Sequence, residues 1–457
     1  MATITEQIDR ARIHALTERE RAKLLARTAG SDAAYERAVA VMPLGVPSSF
    51  QAASPRPVYV SHGEGSRVWD VDGNEYVDFH NGFGVMCVGH ANPAIVAAVS
   101  ARAARGSHFA APTEGSVVVA EELRRRFGMP QWRFTNSGTE STMDAIHLAR
   151  GATGRDLVLK MEGSYHGHHD AVMVSVRPPL ESLGERGVPG SVPFGGGHPH
   201  AVSELTKAIP FNDAGVLERV LDEIGDRVAA LILEPAMMNI TIIAPRPGYL
   251  ERVRALTAAH GVKLIFDEVK TGCTIHAGGA TARFGVTPDL VCLAKASCGG
   301  YPGGAVGMTD ELAALITDGR VRQVGTFNGN PLVMATAEAA LTEVLTDEAY
   351  ARFEAMNDRL LGGLDDVIDR YGLPCHTVGL GAKGCVAFSS EPLYEYREYA
   401  TKVDAELSEL SWLYHMNHGI FMTPGRDEEW TLSVAHTDAH LAAYLEAFET
   451  FARDVTA

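Results

Sequence analysis

Between about residues 93 and 331, short apolar runs alternate with stretches of helical period; the runs lie at residues 157–159, 228–234, 262–266 and 290–293. Near-continuous apolar strands separated by helices predict a largely parallel sheet covered on both faces. Ahead of this block, residues 4–40 are rich in Ala, Glu, Arg and Leu, with Ile8, Ala11, Leu16 and Leu24 at helical spacing. One or two surface helices are expected there. Residues 43–49 break the helical pattern with two prolines and a glycine, and residues 67–78 alternate about an Asp-Gly turn, the mark of a β-hairpin. Beyond the block a long helical stretch begins near Leu332, and from Cys375 strands such as residues 430–434 alternate with helices such as residues 438–454. The expected architecture is α/β. A large domain over 93–331 holds the mostly parallel sheet, a smaller α+β domain spans 332–457, and an N-terminal segment over 1–92 packs with the smaller domain.

Two of the apolar runs end in an ionisable group. Residues 262–266 lead into Asp267, and residues 290–293 lead through Ala294 into Lys295. Open parallel sheets place their chemistry at the carboxyl ends of the strands. An acid that holds a protonated ring nitrogen and a lysine that forms a Schiff base are what pyridoxal phosphate (PLP) requires of a protein. Lys160, Lys263 and Lys270 compete with Lys295 for that role. Lys263 sits at the entry to its strand, the wrong end, and Lys160 precedes a tyrosine loop, whereas Lys295 is followed by the small residues of Gly299-Gly-Tyr-Pro-Gly-Gly304. Val269 falls on the same side as Asp267 and is placed to pack on a ring.

Phe134-Thr-Asn-Ser-Gly-Thr-Glu140 passes from an extended piece into an amphipathic helix. Ser137, Gly138 and Thr139 there form either a phosphate cradle or a plain N-cap; beside Lys295 and Asp267 the cradle is favoured. Glu162-Gly-Ser-Tyr-His-Gly-His-His-Asp170 resembles a metal cluster at first sight, but its spacing suits neither a tetrahedral helix site nor a zinc knuckle. Tyr165 is the better candidate, as a ring stacked on the cofactor with His166 as a packing or hydrogen-bonding neighbour.

Charge narrows the partners. Forty basic and 57 acidic side chains give a net charge of −17, which repels nucleic acid and anionic membranes. Six cysteines form no C-x-x-C pair, so neither zinc nor a redox motif is signalled. The first residues lack the apolar core of a secretory signal and no run reaches membrane-spanning length. A cytoplasmic protein is expected.

Together these residues resemble the class III, fold type I PLP-dependent aminotransferases, in the branch of glutamate-1-semialdehyde 2,1-aminomutase and the β-amino-acid aminotransferases. The likeness runs from about Met42 to the C-terminus. It rests on Trp69-Asp-Val-Asp-Gly, the 134–140 motif, Tyr165-His-Gly167, Glu234-Pro235, Asp267-Glu-Val269, Phe284-Gly-Val-Thr-Pro-Asp-Leu290, Lys295 and Gly325-Thr-Phe-Asn-Gly-Asn-Pro331, in that order. The resemblance implies that Lys295 forms the Schiff base, Asp267 pairs with the pyridine nitrogen, Ser137, Gly138 and Thr139 bind phosphate, and Tyr165 stacks on the ring. It also implies a homodimer in which Thr326 reaches the phosphate of the other subunit, and a two-stage amino transfer.

Several positions depart from that pattern. Residues 45–51 contain no arginine, although relatives use one there for the substrate carboxylate, a strong bidentate contact. Arg426 is either a mobile replacement that binds substrate or a surface ion-pair partner. Lys270 stands where glutamine is common, residues 271–277 replace an aromatic and arginine pattern, and Ala294 replaces a glycine. The expected activity is transfer from a primary amine, amino alcohol or β-amino acid to a keto acid such as pyruvate or 2-oxoglutarate. The alternatives are the aminomutase, a racemase or decarboxylase on the same scaffold, and a catalytically silent PLP-fold binding protein.

Overall fold

In a computed structural model, residues 8–423 and 429–457 are described. Arg426 lies outside them. The chain divides into two compact units, one of Met1–Asn92, Ala351–Pro392 and Lys402–Ala457, the other of Pro93–Tyr350 and Leu393–Thr401.

In the first unit the N-terminal pattern yields two helices, Arg10–Arg27 and Ala29–Ala38. Ile13, Leu16 and Leu24, on one face, are buried. Strands β1 (Val60–Glu64), β2 (Arg67–Asp70) and β3 (Glu75–Asp78) follow. The alternating segment is the expected hairpin: β2 and β3 pair antiparallel, with Arg67 opposite Val77. Asp70 organises its turn by accepting hydrogen bonds from the backbone of Asp72 and Asn74 and from the Tyr76 hydroxyl.

The second unit is built on seven strands: β4 (Gln131–Thr135), β5 (Leu157–Met161), β6 (Thr206–Ile209), β7 (Val228–Leu233), β8 (Lys263–Asp267), β9 (Leu290–Ala294) and β10 (Gly304–Met308). Their order in the sheet is β4-β10-β9-β8-β7-β5-β6. Strands β5 to β9 run parallel, and β10 alone is reversed, pairing antiparallel with both β9 and β4. Consequently β4, β5, β7, β8 and β9 all end at one edge. Ile232, Ile265, Cys292 and Val306 pack with Ala145, Ile146 and Leu148 of the helix Gly138–Thr153 in one apolar core. Burial on both faces is why these strands read as unbroken apolar runs.

The contact boundary falls after Tyr350, beyond the one expected at 331. The helix Pro331–Ala339 packs on the helices Pro93–Ala103 and Glu114–Phe127 of the second unit, because its buried residues include Val333, Met334 and Ala337. Residues 393–401 also return to this unit. There Tyr396 donates to Pro178 O at 2.7 Å, and Arg397 forms a two-pronged ion pair with buried Glu162 at 2.9 Å.

The rest of the first unit carries β11 (His376–Leu380), β12 (Lys383–Ala387), β13 (Ile420–Phe421) and β14 (Glu429–Thr431), closed by the helix Asp438–Thr456. Two histidines in it are fully buried. Burial pushes His415 down to about 4 and His436 down to about 3. Both therefore fold neutral, while their unfolded counterparts take up a proton near pH 6.5. Since the unfolded state binds more protons below that pH, stability is complete above 6.5 and is lost as pH falls toward 4, by up to about 1.4 kcal/mol per pH unit for each histidine. Thermal melts between pH 7.5 and 5 are expected to steepen below 6.5, and His436→Gln to flatten that slope; an unchanged slope would contradict the assignment.

Candidate functional site

Residues at one edge of the seven-stranded sheet carry the candidate chemistry. At the end of β4, Ser137 caps the helix Gly138–Thr153, its Oγ accepting from Glu140 N at 3.2 Å. Glu140 in turn accepts from Asn136 N at 2.7 Å. An N-cap is thus present, and it leaves the helix start with the aligned amides that favour an anion. Gly138 is required by close approach, because a Cβ there would lie 2.8 Å from Val269 Cγ2. Val269 is partly buried against the core. Thr139 Oγ1 accepts from His168 N at 3.0 Å, and Thr142 Oγ1 donates to His166 O at 2.5 Å. The cradle is stitched to the tyrosine loop by these two bonds.

After β5 come Tyr165 and His166. Burial and then the Asp267 charge raise the Tyr165 phenol above its ordinary range. The buried His166 donates from Nδ1 to Asp267 Oδ2 at 2.7 Å, which sets its tautomer, since an ionised carboxylate only accepts. Asp267 ends β8, is 4% exposed, and receives Val269 N on Oδ1 at 3.0 Å. Fixed by two donors, this carboxylate is oriented before any ligand arrives.

The next residue points the other way, as strand alternation requires. Glu268 is fully buried and accepts from Ala280 N, Thr281 N, Thr281 Oγ1 and Thr271 Oγ1; burial raises its pKa. Its role is to hold residues 279–281 in place.

On the adjoining strand β9, Cys292 lies opposite Asp267. The strand runs on to Ala294, and Lys295 follows with a φ of 52°. A left-handed backbone on a long side chain costs about 1 kcal/mol or more. Such strain persists where the surroundings over-determine it, and here the turn Lys295–Cys298 begins at once, with Ser297 Oγ donating to Ala294 O. The competing lysines are differently occupied. Lys160 is completely buried and donates to Ser164 O and Val174 O; Lys263 pairs with Glu311; Lys270 donates to Met238 O.

Glu234 enters the sequence reading as the end of the run 228–234 and as part of a family motif, with no role of its own. It follows β7 at the same edge, accepts from Tyr165 N at 3.1 Å on one oxygen, and from Met238 N and Asn239 Nδ2, both at 2.9 Å, on the other. An ionisable group after an apolar run marks it, as for Asp267. Thr326 is exposed, in a loop that Asn328 ties to Asn136 at 2.9 Å. The polar side chains of residues 162–170 have separate partners: His166 meets Asp267, His169 meets Thr142, and Asp170 meets His198. Among the described residues no group of three or more His, Cys, Asp or Glu is placed to hold a metal, and no helix is long and apolar enough to cross a membrane.

Within the first unit, the arginine-free segment contributes to an apolar cavity of 390 Å³, lined by Val46, Phe50, Phe83, Trp412, Phe421 and Met422 among others. Phe83 makes edge contacts with His80 at 4.4 Å and Phe50 at 6.2 Å.

The donor set at the sheet edge fits PLP group by group: an amine for the aldehyde, an oriented carboxylate for the ring nitrogen, a helix start with hydroxyls for the phosphate, and a half-buried phenol ring. With this fold, that chemistry defines a PLP-dependent enzyme of fold type I. The comparisons narrow the class. The family model for class III aminotransferases matches residues 50–405. A glutamate-1-semialdehyde 2,1-aminomutase of Syntrophobacter fumaroxidans is 39% identical over 91% of this chain and 96% of its own. An omega-transaminase from Sphaerobacter thermophilus superposes with a TM-score of 0.88 at 33% identity, covering 93% of this chain and 98% of its own. A glutamate-1-semialdehyde aminomutase from Pseudomonas aeruginosa PAO1 in complex with PMP does so with 0.91 at 29% identity, covering 98% and 100%. The chain belongs to the class III aminotransferase family, and its cofactor is pyridoxal 5′-phosphate.

Proposed function

We propose that the protein is a cytoplasmic homodimer that moves an amino group from a primary amine, an amino alcohol or a β-amino acid to a keto acid such as pyruvate or 2-oxoglutarate. When bound, PLP supplies an electron-poor ring that stabilises negative charge on the substrate carbon. Lys295 holds the cofactor through Nζ and, once displaced by the substrate amine, moves the proton at that carbon. Asp267, oriented by His166, keeps the ring nitrogen protonated. Ser137, Gly138 and Thr139 take the phosphate, Tyr165 and Val269 confine the ring, and Thr326 extends to the phosphate held by the second subunit. Arg426 receives a substrate carboxylate in one half-reaction.

The observation that carries the choice of substrate is the segment 45–51. It has no arginine and gives Val46, Pro47 and Phe50 to an apolar cavity. A bidentate carboxylate contact cannot be made by these side chains. The second reading, an aminomutase, is favoured by relatives of that name at 37% and 39% identity. Amine donors offered with pyruvate or 2-oxoglutarate are expected to yield the corresponding amino acid. Glutamate-1-semialdehyde offered without any keto acid is expected to remain unchanged; net migration of its nitrogen would transfer the assignment to the aminomutase.

A further inference from the structure

Lys160 interrupts a strand whose five residues are all buried. A buried amine is costly unless its donors are satisfied, so its partners matter. Lys160 Nζ donates to Ser164 O at 2.8 Å and to Val174 O at 2.5 Å. These two carbonyls bracket the loop that carries Tyr165 and His166. The same junction is closed by Gly163 N donating to Ser175 O at 2.8 Å and by Ser164 Oγ donating to Met161 O at 2.6 Å. From the adjacent strand, Glu234 takes Tyr165 N.

We propose that Lys160 is a positioning residue: by clasping both ends of the loop, its amine sets Tyr165 against the cofactor ring and His166 against Asp267. It acts through the loop and does not touch the reacting atoms. Burial pushes the amine down to about 7, opposed by the Glu234 charge. Either protonation state serves, because a neutral amine still has two N–H donors for two carbonyls. An apolar residue of similar length fills the space but leaves both carbonyls unpaired. The inference rests on the assignment of Tyr165 and His166 to the cofactor site.

Lys160→Met is the direct test, with Lys160→Leu, which is smaller and also lacks a donor, as a second variant should the first fail to fold. Three readouts apply: PLP affinity of the apoprotein, visible circular dichroism of the bound cofactor, and amide hydrogen exchange over residues 163–175. The expected result is about a tenfold loss of PLP affinity, in the range seen when supporting partners of a site are removed, with a weaker dichroic band and faster exchange confined to that loop. Cofactor trapped by borohydride remains on Lys295. Wild-type dichroism and exchange in either folded variant, with only a lower melting temperature, would overturn the clasp. If instead Tyr165→Ala leaves the dichroism of the otherwise native enzyme unchanged, the ring-facing role of Tyr165 is wrong, and the proposal falls with its premise.

Discussion

Lys295→Ala is expected to lower amino transfer by at least about 10⁴-fold, the upper range for a group that moves a proton in the transition state, since the covalent anchor is lost as well. Borohydride reduction followed by peptide mapping makes the assignment explicit. In the unmodified enzyme the label is expected on Lys295 alone. Lys160 is completely buried with its amine donating to two backbone carbonyls, Lys263 lies at the opposite end of its strand beside Glu311, and Lys270 donates to Met238 O. Label on any of these three would refute the assignment. The left-handed backbone at position 295 adds an independent signature: Lys295→Gly is expected to melt higher than Lys295→Ala, because only glycine adopts that conformation without steric cost.

Asp267→Asn is expected to reduce kcat/KM by about 10²- to 10³-fold, the scale measured when one preorganised electrostatic partner of a transition state is removed. The substitution preserves shape, and the amide oxygen can still accept from Val269 N. What it removes is the charge, and with it the means of keeping the ring nitrogen protonated. His166 loses its anionic partner at the same time, so the pH dependence of the bound cofactor's absorbance is expected to shift together with the rate. A variant within threefold of the parent in kcat/KM, with an unaltered absorbance titration, would show that Asp267 has no electronic role.

Both residues stand out in the sequence for one physical reason. A strand buried on both faces must be apolar throughout, so an ionisable group at its end is conspicuous. The same contrast marks Glu234, and it makes Lys160 misleading, because an internal lysine looks like a rival nucleophile until its bonds are known. Ser137 is legible as a candidate helix cap from its place at the start of an amphipathic helix, and the hairpin at residues 67–78 from its alternation. Each of these features is local: its cause lies within one turn or one strand.

Other features depend on residues far apart in the chain. His166 lies 101 positions from Asp267, yet their bond orients the acid. The clasp of Lys160, the ion pair of Arg397 with Glu162 and the packing of the helix Pro331–Ala339 on the large unit are of the same kind. So is the shared edge itself, since it depends on strand order, and that order is β4-β10-β9-β8-β7-β5-β6, quite unlike the order along the chain. The amino-acid sequence by itself marked four strands of the large sheet, the hairpin, a helix cap and the candidate lysine and acid, because burial and helix-end chemistry act over a few residues. Only the tertiary structure decided which of these groups meet, because the partner of a buried donor or charge is chosen by how strands are ordered and loops returned.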